Sequence, residues 1–180
     1  MDALAILDKY YPEAGEPRQL LLTHSRRVAE RALRICREHP ELHLDCGLVE
    51  RGALLHDIGI RFCNAPGIHC YGTEHYILHG IIGARLMRSE GELWEAEARI
   101  CERHTGTGLR REAFLSRGLQ PPTTDLLPET MEEQVICYAD KFFSKTQPER
   151  EKTPEEAARS VSKFGEEQAA RFWEWHTLFG

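Results

Sequence analysis

Leu54-Leu55-His56-Asp57-Ile58-Gly59 is the stretch that decides the reading of this chain. Two leucines run directly into an imidazole and a carboxylate, and a glycine follows two residues after the pair. Burying a charged carboxylate without a partner costs several kcal/mol, so a pair placed at the end of an apolar run answers to something specific, most often a cation. A His-Asp dipeptide recurs by chance. Its weight here comes from His24, His79, His104 and Asp140, each set in its own helical pattern.

Outward from this stretch the pattern is helical almost throughout, with no period-2 alternation. Asp45 is the expected N-cap of the helix that ends at His56-Asp57, where Gly59 is expected in the left-handed conformation that closes helices. Upstream, the spacing predicts a short helix over Ala3 to Tyr10. A longer one opens at Glu16-Pro17 and runs to about Glu38, before Pro40. Residues 61–73, with Asn64-Ala65-Pro66-Gly67 and Gly72, read as a loop. Helices are predicted from about Glu74 to Ser89 and from Glu92 to His104, the second broken by Thr105-Gly106-Thr107-Gly108. A short amphipathic piece, Arg111 to Arg117, leads into Pro121-Pro122. Thr130-Met131-Glu132-Glu133 is a capping box that opens a helix to about Lys145. Thr153-Pro154-Glu155-Glu156 repeats it and opens a final helix over about 154–178. The expectation is an all-α bundle forming one domain over 1–180, with its motif-bearing part at about 20–150.

Side chains three, four and seven apart share one helix face. His24 lies with Leu20, Leu21, Val28 and Ile35, His79 with Ile82, Gly83 and Leu86, and His104 follows Ile100 and Cys101. Asp140 sits at the edge of the apolar arc formed by Met131, Val135, Tyr138 and Phe142. A single histidine on an apolar face is more often a hydrogen-bonded core residue than a ligand, and Asp140 alone could pair with Arg27 or Arg31. Five helices that each spend core positions on His or Asp leave many unsatisfied groups unless those groups converge. A shared cation satisfies them together.

Four imidazoles and two carboxylates without cysteine suit iron, manganese, zinc, cobalt or nickel, and suit calcium poorly. Six ligands exceed what one hydrolytic ion with open positions needs. They fit two ions sharing a carboxylate, with Asp57 as the natural bridge.

Composition narrows the class. A chain of 180 residues with 41% hydrophobic and 29% charged residues is globular. No apolar run approaches the roughly 20 residues needed to cross a bilayer, and Met1-Asp2-Ala3-Leu4 lacks a basic signal-peptide region, so a cytoplasmic protein is expected. The formal net charge of −6 argues against broad nucleic-acid binding. Arg26-Arg27 and Arg110-Arg111 could meet a small phosphorylated ligand or simply be solvated helix faces. The six cysteines contain no C-x-x-C pair and read as reduced, mostly buried thiols. Trp173, Trp175 and Phe179 either pack internally or meet a second copy in a homodimer.

The order His24, His56-Asp57, His79, His104 and Asp140 resembles the HD-domain metal-dependent phosphohydrolases of the HDIG subgroup. The minimal signature falls on His24, His56-Asp57 and Asp140, and His79 and His104 resemble the dinuclear members. The strings His24-Ser25-Arg26-Arg27, His79-Gly80-Ile81-Ile82-Gly83, Arg103-His104-Thr105-Gly106 and Tyr138-Ala139-Asp140-Lys141 look like the bacterial enzymes that cleave diadenosine tetraphosphate symmetrically. They look equally like small HDIG proteins of no assigned activity. Ile60 stands where the tetraphosphate hydrolases often carry a lysine, and the segment between His104 and Asp140 is longer than theirs.

The resemblance implies a helical bundle in which one ion takes His24, His56, Asp57 and Asp140. The other takes Asp57, His79 and His104, completed by water. It implies a small phosphorylated substrate, a nucleotide or dinucleotide polyphosphate, hydrolysed at the catalytic pair His56 and Asp57. Iron is the first choice of ion, with manganese, cobalt, nickel or zinc as substitutes. Arg27, Arg61 and Lys141 are the basic candidates for the substrate phosphate, and Thr105 and Gly106 could shape its pocket. Two other readings share the ligand set: a nucleotide-binding regulatory domain of weak activity, and a di-iron oxygenase.

Overall fold

The computed structural model describes residues 2–180. Its helices are α1 (Ala3–Tyr10), α2 (Glu16–Glu38), α3 (Cys46–Leu55), α4 (His79–Ser89), α5 (Glu95–Arg103), α6 (Glu112–Leu115), α7 (Met131–Asp140), α8 (Pro154–Ser162) and α9 (Glu166–Phe179). Two small antiparallel hairpins, β1 (Asn64–Ala65) with β2 (Cys70–Tyr71) and β3 (Phe143–Ser144) with β4 (Gln147–Glu151), complete it. The fold is helical, as the periodicity implies.

The helix starts follow their capping chemistry. Asp45 accepts the Leu48 N–H at 3.0 Å. At α7, Thr130 Oγ1 accepts the Glu133 N–H at 3.2 Å, and the Glu133 carboxylate accepts the Thr130 N–H at 3.3 Å. Thr153 and Glu156 repeat the exchange at α8.

Two apolar clusters flank the middle of the molecule. One gathers the C-terminal half of α2 with α7, α8 and α9, around Tyr138, Phe142, Phe172, Trp175 and Phe179. The other joins α1 and the first turns of α2 to α4 and α5, around Leu7, Leu21, Leu55, Ile58 and Met87. Trp175 and Phe179 are therefore core residues, while Trp173 is 40% exposed. All six cysteines are free thiols, and only Cys46 is exposed.

Several boundaries differ from the sequence reading, each for a local reason. α7 stops at Asp140 rather than Lys145. The chain turns over Lys141-Phe142 and enters the β3–β4 hairpin, which Arg31 fixes from α2 by pairing with Glu151 and lying 3.4 Å over the Phe142 ring. The final helix is two helices, split at Gly165, whose φ of +126 suits glycine. α4 begins at His79 after a 3-10 turn over Tyr76–Leu78. α5 likewise follows a 3-10 turn, Glu92–Trp94.

Gly59 is not left-handed. Its φ of −79 and ψ of −8 are right-handed helical values. What it supplies is space, since a Cβ there would lie 2.1 Å from the His79 carbonyl oxygen and 2.7 Å from the Gly83 nitrogen. The glycine lets the end of α3 touch the start of α4, and so brings His56-Asp57 up to His79.

Candidate metal centre

The six predicted ligands arrive from five helices, and four of them stand at helix ends. His56 follows the last residue of α3, His79 opens α4, His104 follows the last residue of α5, and Asp140 ends α7. His24 projects from the middle of α2. A helix end frees a side chain from its own helix wall and lets it point along the axis, so several helices can aim at one spot. All six side chains are buried, Asp140 at 7% exposure being the most open.

Three of the imidazoles are held alike. Nδ1 of His56 lies 2.7 Å from the Ala53 carbonyl, that of His79 2.6 Å from the Tyr76 carbonyl, and that of His104 2.7 Å from the Cys101 carbonyl. A carbonyl oxygen only accepts, so each Nδ1 carries a proton and each Nε2, in the neutral ring, presents a lone pair inward. Those lone pairs converge. His24 Nε2 is 3.2 Å from Asp57 Oδ2 and 3.0 Å from Asp140 Oδ1, and His56 Nε2 is 3.1 and 3.5 Å from the same two oxygens. His79 and His104 place Nε2 at 3.4 and 3.3 Å from Asp57 Oδ1, and 3.0 Å from each other.

These approaches suit a shared ion better than direct hydrogen bonds. His24 Nε2, His56 Nε2 and Asp57 Oδ1 are buried without a hydrogen-bond partner despite their closeness. Two donors each about 2.1 Å from one ion, at about a right angle, lie about 3.0 Å apart, the spacing seen here. The donor atoms form two groups, His24, His56, Asp57 and Asp140 in one and Asp57, His79 and His104 in the other, with members within 4.8 Å of one another. Either group could hold a metal ion, and Asp57 is common to both. The residues fit the cations that the sequence implied.

The field of the site is strong. Burial opposes charge on His56, but the Asp57 and Asp140 carboxylates outweigh it and lift its pKa to about 9. Burial, reinforced by His104, lowers His79 to about 3, and burial also lowers His104. Against the cost of burial, Lys145 and His56 hold Asp57 well below the usual carboxylate range, and Lys141 and His24 do the same for Asp140.

The basic candidates separate. Lys141 is buried, its Nζ 2.7 Å from Asp140 Oδ2 and donating to the His104 carbonyl at 3.0 Å, so it braces two of the predicted ligands. Arg27 turns aside to Glu30 at 3.0 Å and over the Phe143 ring. Arg61 lies over the rings of Tyr11 and Phe62 and lines a different cavity, with Arg18, His69 and Tyr71. Asp140 pairs with neither Arg27 nor Arg31. Thr105 and Gly106 do line the mouth of the site, a cavity of about 210 Å³, with His79, His104 and Asp140.

Lys145 is the residue that sequence reasoning missed. From the β3–β4 turn its Nζ reaches 2.6 Å from Asp57 Oδ2, and Tyr76, stacked on His79, stands beside it. The available signal was scarcity. The chain has five lysines, and four of them fall between 141 and 163.

Against known protein families, residues 21–144 match the HD domain. The chain belongs to the HD domain family. A tRNA (cytidine(56)-2'-O)-methyltransferase of Thermoplasma volcanium is 33% identical over 124 residues, 69% of this chain and 32% of that protein. A tRNA (cytidine(56)-2'-O)-methyltransferase of Picrophilus torridus is 35% identical over 125 residues, 69% of this chain and 32% of that protein. An uncharacterized protein of Methanocaldococcus jannaschii is 38% identical over 100 residues, 56% of this chain and 51% of that protein. The chain thus spans about a third of the length of the two methyltransferases and about half that of the third relative. No solved structure matches it. Among the described residues no helix is long and apolar enough to cross a membrane.

Proposed function

We propose that this HD domain is a metal-dependent phosphohydrolase that cleaves a phosphoester or phosphoanhydride bond of a nucleotide or dinucleotide polyphosphate. One divalent transition ion would be held by His24, His56, Asp57 and Asp140, and a second by Asp57, His79 and His104. The observation that carries this reading is the position of Asp57. One carboxylate oxygen faces His24 and His56, the other faces His79 and His104, and neither accepts a hydrogen bond from an imidazole.

Bound there, two ions would polarise a phosphoryl oxygen and supply hydroxide near neutral pH. The chain's own groups do the rest. The Nδ1–H bonds to carbonyls fix the imidazoles, Lys141 steadies Asp140, and Lys145 offers an ammonium where charge develops on phosphorus. The burial of the site keeps bulk water from the reacting centre.

The two methyltransferases share only a third of their length with this chain, so their named reaction is not assigned to it. Their names do favour a second reading, in which the phosphate is carried on RNA. A panel of nucleotides, dinucleoside polyphosphates and end-phosphorylated RNAs, assayed with iron, manganese and cobalt, separates the two. His56→Ala and Asp140→Ala are expected to lose bound metal and at least ~100-fold in turnover while staying folded, and His79→Ala and His104→Ala to lose one metal equivalent. Wild-type rates in either of the first two would sink the assignment.

A further inference from the structure

Four of the five lysines, Lys141, Lys145, Lys152 and Lys163, line the single cavity over the histidine-carboxylate cluster. The fifth, Lys9, is on the far side of the fold with Glu90. Eighteen of the 23 basic residues are arginines, and ten of these pair with a carboxylate, as Arg88 does with Glu95 and Glu102. The two outer lysines of the cavity depart from that habit. Asp140 is the one carboxylate lining it, and among the described residues neither Lys152 nor Lys163 has a carboxylate within 4.0 Å. Lys152 instead donates to the Lys141 carbonyl at 3.3 Å, and Lys163 lies 5.1 Å over the exposed Phe164 ring.

Four ammonium groups against the two carboxylates of Asp57 and Asp140 leave an excess of positive charge, and such a cluster costs stability unless an anion completes it. The crowding is felt within the site. Burial first, and then the neighbouring Lys141, Lys163 and Lys145, lower the proton affinity of Lys152 in spite of Asp140. In a chain of net charge −6, this patch is where a compact polyanion is welcomed.

The lysines also fall into two tiers. Lys141 and Lys145 sit on the carboxylates of the proposed metal ligands. Lys152, just past β4, and Lys163, at the end of α8, stand on the outer wall. Lys145, Lys152 and Lys163 all lie beyond residue 144, where the family match ends, so this wall is built by the chain's own C-terminal segment.

We propose that Lys152 and Lys163 form a second phosphate subsite beside the proposed metal centre, so that the cavity selects a phosphate chain of two or more consecutive phosphates over a lone phosphate. This rests on the phosphohydrolase reading for the first phosphate. It adds that Lys145 takes the phosphate being cleaved and the outer pair takes its neighbour. A mouth of about 210 Å³ suits a short phosphate chain. The acidic chain as a whole does not favour a polynucleotide backbone.

The test is calorimetric titration of the protein, with its metals, by methylenediphosphonate and by methylphosphonate, neither of which it can hydrolyse at a P–O–P bond. Wild type is expected to prefer the diphosphonate by at least tenfold. Lys152→Gln with Lys163→Gln should cut that ratio about tenfold, and Lys9→Gln should leave it unchanged. An unaltered ratio in the double variant overturns the subsite, as does a wild type that binds both probes equally. A 5′-hydroxyl RNA oligonucleotide that displaces the diphosphonate at lower concentration than a nucleoside diphosphate does would also overturn it, in favour of an RNA backbone. Circular dichroism of the double variant excludes misfolding, since both side chains sit at the rim. If neither phosphonate binds and no metal is present, it is the phosphohydrolase reading itself that fails. If methylphosphonate binds with metal present and the ratio is flat, only the second subsite fails.

Discussion

At the scale of single residues, the site sets two imidazoles in opposite electrostatic states a few ångströms apart. His56 is pushed up to about 9 by Asp57 and Asp140 against its burial, whereas burial and His104 bring His79 down to about 3. Linkage turns both shifts into stability. For metal-free protein, the His56 contribution is complete below the unfolded imidazole value of about 6.5 and is lost as pH rises through about 9. For His79 the sign reverses: no penalty is felt above about 6.5, and stability falls as pH drops from there toward 3. The depressed Asp57 and Asp140 add a further loss below about 3.9, the unfolded carboxylate value. The melting temperature of metal-free protein should therefore peak near about pH 6.5 and decline on both sides. Metal ions require neutral imidazole, so loading should remove the alkaline decline and metal affinity should rise with pH. Thermal melts from pH 5 to 9.5, with and without metal, check this. A metal-free profile that keeps climbing to pH 9 would show that His56 is not charged in the fold.

At the scale of elements, the geometry of the centre depends on how closely α3 and α4 approach. Gly59 makes that approach, and its replacement by alanine sets a Cβ 2.1 Å from the His79 carbonyl, an overlap that only backbone movement relieves. Because the clash is on His79 itself, Gly59→Ala should displace that proposed ligand more than the fold. The expected result is loss of about one metal equivalent, with stability lowered by about 1–3 kcal/mol as for other overpacked sites, read by metal analysis and denaturant unfolding. Full metal content in this variant would contradict the packing argument. The helices themselves were legible because their signals are local: Asp45, the two capping boxes and the 3.6-residue stripes act within a few residues, and each cap lies where expected. The six converging groups were legible because burying that many polar side chains has few solutions. Tertiary detail was not legible. Read as a helix continuing to residue 145, α7 would put Lys145 about 140° around the axis from Asp140. The turn at Lys141-Phe142 and the hairpin pinned by Arg31 and Glu151 instead fold it back onto Asp57. For Gly59 the sequence pointed to backbone conformation, while the structure uses the missing side chain. Arg27 and Arg61 carried charge near the motif in sequence, yet a nearby glutamate and two aromatic rings hold them elsewhere.

At the scale of the whole molecule, α2, α3, α4, α5 and α7 meet at a polar centre between two apolar clusters. The apolar clusters hold the outer faces of these helices together, but the centre itself contains a carboxylate oxygen, Asp57 Oδ1, and imidazole nitrogens of His24 and His56 with no hydrogen-bond partners. Leaving such groups unsatisfied is costly, so ions that complete them should tie the five helices together and stabilise the fold. A ligand that binds only the folded state at 100 times its Kd adds about 2.7 kcal/mol. For a domain of this size each kcal/mol is worth about 2–4 °C, so filling one site should raise the melting temperature by about 5–10 °C. Chelator-treated protein should melt lower by at least that amount and recover with manganese or ferrous iron. Calcium should not restore it, because imidazole-rich sites favour transition ions over calcium's oxygen cage. Differential scanning calorimetry of stripped and reloaded protein decides the matter. An unchanged melting temperature would mean that these buried groups are already satisfied by one another, and that the helices need no ion to hold them.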